Sequence, residues 1–337
     1  MISKEQILFL ANIVADKFIH LFGSKNKIKN ILVVKLDEIG DMVTCTHVFE
    51  NLKKQYPNSS LKVLCKPFVT SLIENDPFID GIITDTKLWN SKYDLVVELR
   101  GNWITLLKSM YYFPKCRLSR AQVRFKNRGK QLHEYQTNFE IISSVVKLEQ
   151  PILKPKLYFS EKNKTNVQAF IKENELNKIA LFHIGARKKL RQWNLDNFVQ
   201  LAKFTHLNYQ TQLVFVGSED DIDDINKVTN ELDFKTYSIV NKLNLIEFAH
   251  LCSLSYLYIG NESGPLQIAS LYPIPIFALF GPGVPHVFYP KGDKVKIFHH
   301  ILDCNPCDQV HCVLPENPCI NRITLEEVCH EMVNILK

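Results

Sequence analysis

The chain has 337 residues, 46% hydrophobic and 23% charged, values that exclude a disordered, collagen-like or low-complexity polypeptide. With 41 basic and 35 acidic residues the net charge is +6, which favours anionic over cationic partners. The length suggests two domains. Glycine is scarce: the chain has 12, about half the usual share of roughly 7%, so each should mark a backbone position that tolerates little else.

Near the N-terminus, Ile7–Ala15 follows Lys4 like the apolar core of a signal peptide. However, Glu5, Asn12, Asp16 and His20 share one helical face, with Leu8, Phe9, Ile13, Phe18 and Phe22 elsewhere, which predicts an amphipathic helix. Such a helix packs on the protein or lies against an inner membrane surface. No run of 18 apolar residues occurs, so a spanning helix is not expected and the chain reads as cytoplasmic. The first strand-like run, Ile31–Leu36, enters Asp37-Glu38-Ile39-Gly40-Asp41-Met42 and then a helix. Gly40 is expected to permit a tight turn there. Asp41 is either an N-cap or a carboxylate able to take a proton from a hydroxyl. Neither G-x-G-x-x-G nor a P-loop is present.

Further strands are predicted at Leu61–Cys65, Gly81–Thr84 and Leu95–Leu99. Between Lys115 and Lys130 stand seven basic residues, Arg117, Arg120 and Arg124 among them, and no acid. That run is a solvated loop or an anion-binding surface; nucleic acid is disfavoured because no recognition motif accompanies it. Glu149–Pro155 carries two prolines and no periodicity, and reads as a linker.

The strand pattern then restarts at Ile179–His183, Gln212–Val216, Lys235–Ile239, Tyr256–Ile259 and Ile274–Leu279. Runs rich in Val, Ile, Leu and Phe, each followed by a helical pattern, predict two α/β units with parallel sheets, whose carboxyl strand ends would line a cleft. After the first of these strands, Gly185 leads into Arg187, Lys188, Lys189 and Arg191, suited to a phosphate; Trp193 is expected to pack. Glu219–Asp224 contains a D-x-D, but its position favours acids in the first turn of a helix. Glu219 or Asp221 could instead bind a ribose. Glu262-Ser263-Gly264-Pro265 again joins a strand to a helix, with free amides for an anion at Ser263 and Gly264. Cys304, Cys307, Cys312 and Cys319 cluster near the C-terminus, compatible with reduced thiols, a disulfide or, less favoured, a structural zinc.

In this order, LDEIGDMV, a H-x-G loop leading to R-Q-W, NESGP, LFGP and the cysteine tail followed by Arg322-Ile323-Thr324 resemble the heptosyltransferase family, glycosyltransferase family 9. The resemblance runs from about Asn30 to the C-terminus. It implies a GT-B fold, with two Rossmann-like domains facing a central cleft and a C-terminal helix crossing back to the N-terminal domain. The corresponding divisions are residues 1–29 (helix), 30–150 (acceptor domain), 151–323 (nucleotide-sugar domain) and 324–337 (C-terminal helix). It further implies a metal-independent inverting enzyme without a cofactor. The expected partners are ADP-heptose and an anionic lipid-linked saccharide of the lipopolysaccharide inner core, with peripheral inner-membrane contact. Asp41 takes the place of the general base. Arg191, with Lys188, Lys189 and Gly185, falls on the donor side, as do Glu262, Ser263, Gly264 and Pro265. Arg117, Arg120 and Arg124 are expected to meet the acceptor. The family usually carries Asp where Glu262 stands and His where Gln267 stands, so another nucleotide sugar, or a weakened saccharide-binding homologue, is the alternative.

Overall fold

The computed structural model describes residues 3–22, 28–84, 92–292, 294–305 and 307–337. Contacts divide the chain into two units, Met1–Tyr158 and Phe159–Lys337.

The first unit opens with helix α1 (Lys4–Phe22); residues 23–27 of the expected N-terminal segment lie outside the described residues. Then come β1 (Asn30–Lys35), α2 (Ile39–Val43), α3 (His47–Gln55), β2 (Ser60–Cys65), β3 (Gly81–Ile83) and β4 (Leu95–Glu98). The unit is completed by α4 (Trp103–Tyr111), β5 (Cys116–Ser119), α5 (Arg120–Lys126) and α6 (Glu134–Ile142). All strands pair in parallel, in the order β3-β2-β1-β4-β5. Ile31, Leu32, Val33 and Val34 are fully buried, as a central parallel strand requires, which is why β1 reads as an unbroken apolar run. The chain after Ser143 is irregular but not loose. The Asn51 side chain donates to the Ile152 carbonyl at 2.7 Å and accepts from its amide at 3.0 Å, holding this stretch to α3.

In the second unit, α7 (Glu161–Glu173) starts from a capping box in which Asn163 N donates to Ser160 Oγ at 3.2 Å. It is followed by β6 (Ile179–His183), α8 (Leu195–Tyr209), β7 (Gln212–Val216), α9 (Ile222–Asn230), β8 (Tyr237–Ser238) and α10 (Leu245–Ser253). The remaining elements are β9 (Leu257–Asn261), α11 (Gly264–Ala269), β10 (Ile276–Phe280), α12 (Pro285–Phe288), β11 (Val295–His299) and α13 (Leu325–Ile335). The sheet is again parallel, in the order β11-β10-β9-β6-β7-β8. Its core gathers Trp193, Phe198, Phe215, Phe277, Ile320 and Met332. Trp193 is buried as expected, and its indole N–H donates to the Ile323 carbonyl at 2.8 Å.

Two features differ from the sequence reading. The basic run hides an edge strand and a helix, β5 and α5. In β5 the inward positions are Arg117 and Ser119, the reverse of the apolar-in pattern. The outer strand β11 is only partly buried and carried too weak a pattern to register. The C-terminal helix α13 packs against α8, where Val328 and Met332 join the core around Trp193 and Phe198.

Candidate active site

In an open parallel sheet, ligands bind outside the carboxyl ends of the strands where the strand order reverses. That point lies between β1 and β4 in the first unit and between β6 and β9 in the second. The segments leaving these four strands hold most of the residues singled out from the sequence.

In the first unit, β1 ends in Lys35, which is almost completely buried. Its Nζ donates to the Leu99 carbonyl at 3.2 Å and stands 3.1 Å from Asp37, 4.0 Å from Asp41 and 4.0 Å from Glu134. A charge taken out of water needs such partners. Burial works against the lysine charge, but Asp37, Glu134 and Asp41 outweigh it and hold its pKa above the ordinary value. Asp41 is not the N-cap: Glu38 takes that position, and Asp41 sits in the first turn of α2, as does Gly40. The Asp41 carboxylate keeps 29% of its side-chain surface exposed. Burial raises its pKa, Lys35 and Arg120 draw it down, and Asp37 and Glu134 push it up, for a net rise. A partly desolvated carboxylate with a reachable face is what a general base needs.

Two further ion pairs frame this group. Arg120 meets fully buried Glu134 through both guanidinium ends, each at 2.6 Å, and keeps that carboxyl below its usual range against the effect of burial. Arg100 Nε lies 3.3 Å from Asp37. Glu98 at the end of β4 accepts from the Arg100 and Gly101 amides at 2.8 and 2.6 Å, fixing the turn in which Gly101 adopts φ +76°.

The three arginines expected at the acceptor separate. Arg117 has no exposed side-chain surface: it holds Asp16 of α1 at 2.9 Å and Asn12 at 2.6 Å, so it braces the fold and cannot meet a ligand. Arg120 acts on Asp41 through its charge. Arg124 stays on the exposed side of α5.

In the second unit, β6 ends in His183, whose Nδ1 lies 3.1 Å from Ser263 Oγ. Burial lowers the His183 pKa to about 4, against the pull of Asp221, so the ring is neutral near pH 7. Ser263 is the N-cap of α11, yet its hydroxyl makes no cap bond to that helix and turns to His183 instead; Gly264 and Pro265 form the first turn. Arg191 stands 3.3 Å from Glu262, which brings two expected donor residues together. Gln309 accepts from Arg191 Nε at 2.8 Å and also from its terminal nitrogen. Glu262 is buried and its Oε2 has no partner. Burial raises its pKa, while Arg191 and Lys188 pull it down. Lys188 donates to the Asp308 carbonyl at 3.0 Å. Lys189 turns outward to Asp224 at 2.9 Å, with most of its side chain exposed.

Two glycines here are set by crowding. A Cβ at Gly185 would stand 2.0 Å from Asp221 Oδ1, and one at Gly283 would stand 1.9 Å from Glu262 Oε2. Asp221 also accepts from the amide and hydroxyl of Ser218 at 2.7 and 2.9 Å, closing the turn before α9, and Glu219 accepts from Asn241 at 3.0 Å. Both acids expected at a ribose are thus engaged locally. Gln267 donates to the Phe288 carbonyl at 2.5 Å.

Sequence reasoning overlooked Lys35, Asp37, Glu134 and Asn261. Asn261, fully buried, donates to the Ile184 and Gly185 carbonyls at 2.8 and 3.2 Å and accepts from Trp193 N at 3.1 Å, tying β9 to the loop after β6. The available signal was a lysine closing an apolar run and an asparagine ending another. The four clustered cysteines line one cavity with Leu190, Pro282 and His311. They are free thiols, and among the described residues no three His, Cys, Asp or Glu side chains are arranged to hold a metal ion.

The model of glycosyltransferase family 9 (heptosyltransferase) matches residues 86–317, more than half of the chain. A putative glycosyltransferase from Haemophilus influenzae is 26% identical over 314 residues, covering 82% of this chain and 90% of the relative. Lipooligosaccharide heptosyltransferase 2 from Campylobacter jejuni is 23% identical over 318 residues, covering 89% and 96%. Among solved structures, a family 9 glycosyl transferase from Veillonella parvula superposes with TM-score 0.78 at 19% identity, over 93% of this chain and 99% of that one. The Escherichia coli ADP-heptose lipopolysaccharide heptosyltransferase II gives 0.73 at 20% identity, over 91% and 98%. With two parallel sheets and matches of this extent, the chain belongs to glycosyltransferase family 9, the heptosyltransferase family, and is a glycosyltransferase of the GT-B fold.

Proposed function

We propose that the chain moves a heptose from ADP-heptose to an anionic, lipid-linked saccharide of the lipopolysaccharide core type, with inversion at the anomeric carbon. The observation that carries the donor half is Arg191 beside Glu262, a buried carboxylate with one oxygen unpartnered. The guanidinium, held by that carboxylate, can meet a diphosphate. Asp41 precedes the span matched by the family model, so its role rests on its own geometry: a largely buried carboxylate with one reachable face at the β1 switch point, charge-balanced by Lys35.

In the reaction, the acceptor O–H bond breaks as its proton passes to Asp41. The oxygen forms the new bond to the anomeric carbon, and the bond to the diphosphate breaks with its electron pair leaving on the phosphate oxygen. Arg191 and Lys188 meet the charge that develops there, and the first-turn amides of α11, which lack a side-chain cap, add to it. Ser263 is positioned for the same group by His183.

A thermal-shift panel of nucleotide sugars tests the donor. Selective stabilisation by ADP-heptose over UDP-, GDP- and CMP-sugars is expected; selective stabilisation by one of the others would replace the donor. Arg191→Ala is expected to lower kcat/KM by about 10–150-fold, the equivalent of one lost charged hydrogen bond of about 1.5–3 kcal/mol. Wild-type kinetics in that variant would remove Arg191 from the donor site.

Lys35 bears on the base directly. Lys35→Met is expected to move the acid limb of kcat/KM to higher pH, because the lysine draws the Asp41 pKa down. Lys35→Arg, which keeps the charge, should hold the limb near its original place. An unmoved limb in the methionine variant would separate Lys35 from the base.

A further inference from the structure

We infer that Gln309 is a positioning residue for the donor: from 118 positions further along the chain, its side-chain oxygen sets the Arg191 guanidinium to receive the diphosphate. This deepens the donor reading and rests on Arg191 meeting that group.

Among the described residues, the side chain of Arg191 meets Gln309 and Glu262. A guanidinium offers five N–H donors in a fixed fork. The Gln309 oxygen accepts from Nε at 2.8 Å and from one terminal nitrogen, and Glu262 stands 3.3 Å from the other. Each terminal nitrogen therefore keeps one N–H for a ligand. Held along one edge, the arginine presents these donors without having to be ordered when the ligand arrives. Gln309 also carries no charge. It orients the guanidinium and leaves its positive charge available, which a second carboxylate beside Glu262 would neutralise.

The backbone around Gln309 is shaped for this contact. Its φ is +63°, a left-handed conformation that residues with a side chain rarely adopt. Gln210, also left-handed, ends α8, where such a residue is common; Gln309 stands instead in the loop after β11. Strained backbone persists only where its surroundings over-determine it. Here the Gln309 amide donates to Cys307 Sγ at 3.3 Å, and the Asp308 carboxylate accepts from the Val310 and His311 amides at 2.8 and 3.0 Å. Asp308 and Val310 are exposed, while Gln309 between them is half-buried. The Asp308 carbonyl accepts from Lys188, the second donor-side cation, at 3.0 Å. One turn thus holds both cations.

The test is calorimetric titration with ADP, beside a melting curve, of the wild type and of variants at 309 and 191. Gln309→Ala is expected to weaken ADP binding about 2–13-fold, the cost of ordering one long side chain on binding. Gln309→Gly should weaken it equally yet melt higher than the alanine variant, because glycine is unstrained at this φ. Gln309→Glu, which keeps the acceptor but adds a charge, should weaken it at least about tenfold. Arg191→Ala/Gln309→Ala should bind no worse than Arg191→Ala, because Gln309 acts through the arginine. Unchanged affinity in Gln309→Ala, affinity that follows melting temperature across the alanine and glycine variants, or additive losses in the double variant would overturn the inference and leave Arg191 at the donor. Unchanged affinity in Arg191→Ala, or no ADP binding by the wild type, would remove the donor reading itself and the inference with it.

Discussion

Asp41→Asn is expected to cut turnover by about 10²–10⁴-fold, the usual contribution of a positioned general base, without lowering the melting temperature. The two halves come from one fact. Burial lifts the Asp41 pKa above its ordinary 3.8, so the folded chain binds that proton more tightly than the unfolded chain does. The stability this contributes is fully present below the ordinary value and is lost as pH rises through the raised one. At neutral pH the ionised carboxylate therefore stabilises nothing by itself, and an uncharged amide of the same shape should leave the melting temperature equal or higher. Steady-state kinetics with donor and acceptor, beside a melting curve, check both. Near wild-type turnover in the asparagine variant would sink the base assignment; a marked fall in melting temperature would make Asp41 a structural residue.

The largest loss of stability is expected from Arg120→Met. Glu134 has no exposed surface, and removing Arg120 strips both of its 2.6 Å partners at once. An orphaned buried charge costs about 3–5 kcal/mol. For a unit of this size that corresponds to a fall of roughly 6–20 °C in the midpoint. Lys35, 4.0 Å from Glu134, softens the loss and directs expectation to the lower end. Arg120→Met/Glu134→Leu, which removes both charges together, should recover most of it. A single variant melting within about one degree of wild type would show that the pair is not structurally needed.

The sheets could be read from the sequence because parallel strands buried on both faces leave long Val, Ile, Leu and Phe runs, as β1 and β6 do. Strand β5 could not, since its inner positions are an arginine and a serine that make sense only once Asn12 and Asp16 arrive from α1, some hundred positions away in sequence. The site divides in the same way. Asp41, Arg191 and Glu262 stood beside glycines at strand ends and were visible for that reason. Lys35 and Glu134 were not, because the motive for each is the other and Asp37, and no spacing rule joins β1 to α6. The scarce glycines proved informative, though less for their freedom of φ than for missing side chains: a carboxylate occupies the space at Gly185 and at Gly283.

That occupancy makes positions 262 and 283 epistatic. With glutamate at 262, an alanine at 283 would force the carboxylate off Arg191, so Gly283→Ala should mimic a donor-site defect rather than a loop defect. With aspartate at 262, one methylene shorter, the same alanine gains room. The order of substitution then decides which sequences can be reached: shortening 262 must precede any side chain at 283, and once 283 is filled the longer acid is barred from returning.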